Sequence, residues 1–154
     1  MNFLNSKDKK RLFEQIKELY GVDFKPHSEG LIFYRKDNNL FIISGEYSGI
    51  KDSYNEGLEF GYYESEFKSN KLLLTIEGLN LVKPKKDLLE LDEEDLSLFL
   101  QAKPFILEEP NLPDGDYVIK LKTNKKGFFG IAKLRNSIIH STIPIKRRLK
   151  TDAY

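Results

Sequence analysis

Four cations crowd the end of the chain, where Ile143-Pro144-Ile145-Lys146-Arg147-Arg148-Leu149-Lys150 sets Lys146, Arg147, Arg148 and Lys150 beside a proline that restricts the local path. Guanidinium and ammonium groups at this density suit phosphate recognition, because each contact neutralises backbone charge and releases a counterion. Lys133 and Arg135 lie shortly before them. No Asp or Glu occurs between Asp116 and Asp152, while ten Lys and Arg do. Residues 110–154 therefore hold 10 basic against 3 acidic side chains, in a chain whose total charge is only +1. The same stretch is rich in Val, Ile, Leu and Phe, so it reads as one charged face of a folded module. RNA or DNA is the first polyanion such a face suits.

Other constellations point to structure rather than chemistry. Glu90, Asp92, Glu93, Glu94 and Asp95 splay around a helix start, where acidic side chains match the dipole and stay solvated. Gly127-Phe128-Phe129-Gly130 has the glycine spacing of a backbone-clamping loop, but lies between strand-like runs instead of helices. The octamer Lys126 to Lys133 fails the RNA-recognition-motif pattern at Phe129, Gly130 and Lys133. The glycines are better explained by close strand approach or a bulge, with Phe128 or Phe129 in the core and available for base stacking only if exposed. His140, beside Ser141 and Thr142, has no neighbouring carboxylate to orient it, and adjacent strand residues face opposite ways. His27 follows Pro26 in a loop.

The sequence has no cysteine and only two histidines, far apart, so a thiolate metal site, an iron–sulfur cluster, a disulfide framework and a cysteine nucleophile are excluded. Glycine-rich phosphate loops are absent too. No catalytic residue, cofactor or metal is expected. With 40 % hydrophobic and 32 % charged residues, no long apolar run and no signal pattern, the chain reads as a soluble cytoplasmic protein without membrane partners.

These residues need elements to position them. Ser6 is placed to cap a helix carrying Leu12, Phe13, Ile16, Leu19 and Tyr20 on one face, with Gly21 as its stop. Leu31–Tyr34 and Leu40–Ile43 read as a hairpin around Asp37-Asn38-Asn39. Leu58–Tyr63 and Leu72–Ile76 are further strands, separated by a turn with Ser69 and Asn70, and Gly78–Val82 is one helical turn. Lys83-Pro84-Lys85-Lys86 interrupts the apolar pattern and marks a boundary. Beyond it Asp92 caps a helix with Leu96, Phe99 and Leu100 on its core face. Prolines 104, 110 and 113 mark loop, and strands follow at Asp116–Lys122, Phe128–Leu134 and Ser137–Ile143. The fold class is therefore α+β: an N-terminal α/β domain over residues 1–84, then a small twisted barrel with one helix over residues 85–154.

Asp114-Gly115-Asp116-Tyr117-Val118-Ile119, then Gly127 to Lys133, then Ser137-Ile138-Ile139-His140-Ser141-Thr142-Ile143-Pro144-Ile145-Lys146-Arg147-Arg148 resemble the closing strands of a PUA-type RNA-binding domain. Leu91 to Lys103 resembles the helix that opens such domains. Upstream, Leu58-Glu59-Phe60-Gly61-Tyr62-Tyr63 and Lys71 to Leu79 are similar to the end of the α/β domain that precedes PUA in the Nip-seven family of ribosome-assembly factors. The C-terminal half, residues 85–154, also resembles the PUA-like tails of rRNA cytosine methyltransferases, which do not need the N-terminal half. What the resemblance implies is a non-enzymatic protein binding ribosomal or precursor ribosomal RNA during ribosome biogenesis. It assigns protein partners, ribosome-assembly proteins among them, to the net-acidic N-terminal half. The alternative is an RNA-targeting subunit of an RNA-modifying enzyme, an rRNA or tRNA methyltransferase or a pseudouridine synthase. Lys133, Arg135, Lys146, Arg147, Arg148 and Lys150 are the residues expected to hold RNA.

Overall fold

The structure is a computed structural model that describes residues 2–44, 57–66, 69–108, 112–124 and 126–144. Contacts along the backbone divide the chain into two compact units, Met1–Lys85 and Lys86–Tyr154, with the break inside the Lys83-Pro84-Lys85-Lys86 segment.

In the first unit, α1 spans Ser6–Tyr20 and is capped by Asn5 rather than Ser6, the Asn5 Oδ1 accepting from the Asp8 N–H at 2.8 Å. Both side chains suit a cap, and the one three residues before the free N–H makes the bond. Gly21 ends the helix at φ 72°, its N–H donating to the Lys17 carbonyl. Leu12, Ile16 and Tyr20, spaced by four, are buried. They face a sheet of β1 (Asn2–Phe3), β2 (Leu31–Lys36), β3 (Asn39–Ser44), β4 (Leu58–Glu66) and β5 (Ser69–Leu74), ordered as in the chain. Phe24, Phe33 and Phe60 form its aromatic centre, with ring centroids 5.8 Å apart for Phe24–Phe60 and for Phe33–Phe60.

Every strand pairing in this sheet is antiparallel among the described residues, so the expected α/β character is corrected to α+β. Hairpin neighbours pair antiparallel, whereas parallel strands need a long crossover. The β2–β3 hairpin closes around Asp37-Asn38, with Asp37 at φ 55°. Ser69 and Asn70, expected in a turn, belong to β5 and pair with Glu66 and Ser65. Ile76, expected in a strand, instead starts α2 (Ile76–Val82), because the Thr75 Oγ accepts from the Gly78 N–H at 3.1 Å and caps a helix there.

The second unit contains β6 (Leu88–Leu91), α3 (Glu93–Leu100), β7 (Phe105–Ile106), β8 (Gly115–Leu121), β9 (Gly130–Arg135) and β10 (Ile138–Ser141). Asp92 caps α3, its Oδ1 accepting from the Asp95 N–H at 2.8 Å. Strand order is β6-β8-β9-β10-β7, with β6 and β8 parallel and the other pairs antiparallel. The crossover from β6 to β8 runs through α3, which is why the parallel pair occurs here. Among the described residues this sheet is open, a curled half-barrel with β6 and β7 at its ends. Tyr117 and Ile119, with Leu121 packed at the margin, point inward with Leu89, Leu91, Ala132, Leu134 and Ile139 against Leu96 and Phe99 of α3. Gly130, at φ 142°, lies where a Cβ would come within 3.1 Å of the Phe99 ring, so a glycine is needed for β9 to pass the helix.

Candidate nucleic-acid interface

Alternation along β9 puts Leu134 in the core and Lys133 and Arg135 on the opposite face. Arg135 is exposed and Lys133 is half-buried. In register, Lys133 stands opposite Asp116 of β8 and His140 of β10. A cation facing an anion across antiparallel strands stabilises the sheet as well as presenting charge. Lys133 thus sits in a row of mixed charge, while Arg135, at the end of its strand, is the freer of the two predicted contacts. Lys146, Arg147, Arg148 and Lys150 lie outside the described residues.

Phe128 is not a base-stacking platform: it is 7 % exposed, and the Lys120 Nζ lies 4.7 Å from its ring centroid. Phe129 is half-buried and packs against the core cluster. The aromatic pair is therefore structural, as the close-strand reading of the glycine segment implies. His140 is exposed on β10. The Thr142 hydroxyl donates to the Ile131 carbonyl at 2.7 Å, and the Ser141 Oγ accepts from the Ile143 N–H at 3.1 Å. Both hydroxyls tie the strand end to backbone. Among the described residues no group of three or more His, Asp or Glu could hold a metal ion, and no helix is long and apolar enough to cross a membrane.

Over nearly its whole length the chain is similar to a solved structure, that of a conserved PUA domain protein from Thermoplasma acidophilum, covering 95 % of this chain and 96 % of that one at 15 % identity and a TM-score of 0.60. That likeness shows a shared fold. No family model and no curated protein matches the sequence.

A further set of cations escapes charge totals taken over long segments. Lys9, Lys10, Lys17 and Lys25 line a groove of about 560 Å³ along α1, around Phe13. The signal lies in helical spacing: Ser6, Lys10, Phe13 and Lys17 fall at i, i+4, i+7 and i+11, one stripe of the helix. Residues 1–80 hold 11 basic and 13 acidic side chains, and that average conceals the stripe.

Proposed function

We propose that this chain is a non-enzymatic RNA-binding protein that engages ribosomal or precursor ribosomal RNA during ribosome biogenesis in the cytoplasm. The observation that carries the reading is the acid-free basic stretch between Asp116 and Asp152. The likeness in fold to a PUA domain protein supports it. In this reading the two units are two domains of a Nip-seven-like factor: the second takes RNA through Arg135, Lys133 and the basic run from Lys146 to Lys150, and the first meets assembly proteins. No cofactor enters the function.

RNA affinity measured by anisotropy at several salt concentrations tests it. Each phosphate contact to a single strand contributes about −0.7 to the slope of log K against log salt, so about four contacts give a slope near −3. Joint replacement of Lys146, Arg147 and Arg148 by alanine is expected to weaken binding and flatten that slope. Unchanged affinity and slope in the folded triple variant would remove the basic run from the interface. Co-purification with RNA sequencing separates the biological settings: precursor rRNA with assembly factors supports the assembly role, whereas a stoichiometric modifying enzyme overturns it in favour of a targeting subunit.

A further inference from the structure

We infer that the lysine-lined groove along α1 is a second contact for single-stranded RNA, which rests on the RNA-binding reading but uses a surface remote in sequence from the residues that carry it. Lys10, Lys17 and Lys25 are exposed and Lys9 is half-buried, and none of the four is ion-paired with a described residue. Lys10 and Lys17 are seven residues apart, about 10 Å along the helix axis, so they can engage separate phosphates. Four cations against two carboxylates leave the groove net positive, which attracts a polyanion.

Phe13 decides which polyanion. Its ring is half-buried and lines the groove, while its inner side is held edge-on by Phe33 at 6.0 Å and 76° and tilted against Phe24 at 6.3 Å and 57°. A ring fixed in this way among lysines matches the design of single-strand binding sites, in which cations track the backbone and an aromatic face accepts an unstacked base. Bases paired in a duplex cannot reach such a ring. Two carboxylates, Glu14 and Asp23, share the groove. They can accept hydrogen bonds from the exocyclic amines of bases, donors that acidic side chains lack. Single-stranded RNA is thus favoured over an acidic protein segment.

The test uses the full chain and a labelled, unstructured oligoribonucleotide of about 12 nucleotides, within the usual span of single-strand sites. Lys10→Gln with Lys17→Gln is expected to weaken binding about tenfold and to reduce the magnitude of the salt slope by about 1.4, two contacts' worth. Phe13→Leu is expected to weaken binding about tenfold with the slope unchanged, since stacking releases no counterion. Because Phe13 touches the core, its variant is read beside a thermal melt, and the exposed lysine pair decides if that melt shifts. Wild-type affinity and slope in the lysine pair, alongside loss in the Lys146, Arg147 and Arg148 variant, would overturn the groove contact and leave the RNA-binding reading standing. Absence of RNA binding by the wild-type chain would overturn both. If poly-glutamate binding depends on Lys10 and Lys17 while RNA binding does not, the groove belongs to an acidic protein and the inference fails.

Discussion

One hydroxyl closes the free side of the first sheet's last strand. Buried Tyr20 donates from its hydroxyl to the Leu72 carbonyl at 2.7 Å and accepts from the Leu74 N–H at 3.2 Å, both on β5, the terminal strand of that sheet. Removing the hydroxyl leaves two buried backbone groups unsatisfied. Tyr20→Phe is expected to lower unfolding free energy by about 2–3 kcal/mol, measured by urea titration. The periodicity of α1 reveals that Tyr20 is core, but its hydrogen-bond partners lie 52 and 54 residues away and leave no local trace. Asp95 shows the reverse, a local pattern that misleads. An acidic first turn suits the helix dipole, yet burial holds the Asp95 carboxyl above its usual range, reinforced by Asp92, Glu108 and Glu94 and opposed by Lys122. A raised folded pKa gives stability that is complete below the unfolded value of 3.8 and is lost as pH rises through the folded value. Ionised Asp95 is therefore a small net cost at neutral pH. Asp95→Asn is expected to raise the melting temperature at pH 7, through a stabilisation of less than about 1 kcal/mol because solvent screens this half-buried group. That gain should vanish at pH 3.

At the scale of elements, caps and close approaches set the boundaries. Thr75 caps α2 and also donates to the Glu59 carbonyl at 2.6 Å, fastening the helix start to β4. Gly78, one turn on, lies directly over the Phe60 carbonyl, where any Cβ would collide with backbone. Gly78→Ala is expected to push α2 off the sheet and cost about 1–3 kcal/mol, read as a lower urea midpoint with the slope unchanged. The helices were legible because their signals are local: Gly21 and Asp92 stand at the ends where the apolar period starts or stops. β1 and β7 have two residues each, too few for alternation to register. β6 escaped for another reason, since Leu88–Leu91 is a strand by virtue of its parallel pairing with Val118–Leu121, about thirty residues on. The outward side of β9 was only half legible. Lys133 and Arg135 are legible in the sequence as cations, but Asp116 and His140 flank Lys133 through register, which only the folded sheet supplies.

At the scale of the whole molecule, charge is sorted twice, once along the sequence and once around α1. The first sorting is visible in segment totals and locates the basic second half. The second needs the helix to form before Lys10 and Lys17 share a side with Phe13. If both surfaces contribute to RNA binding, the salt slope of the intact chain should be steeper than the value near −3 expected for the terminal run alone. Titration of wild type, the α1 lysine pair and the terminal triple variant should then give slopes that decrease additively. The short outer strand of the half-barrel has a separate consequence, for solubility. β7 is only Phe105–Ile106, with Ile106 71 % exposed, and it forms one end of the second sheet. A protruding isoleucine on a long flat edge would invite a neighbouring chain to add strand after strand, the route to aggregation. Two residues offer too few backbone groups for such templating, so the sheet can end in an apolar side chain without seeding fibrils, even where many copies crowd on one polymer.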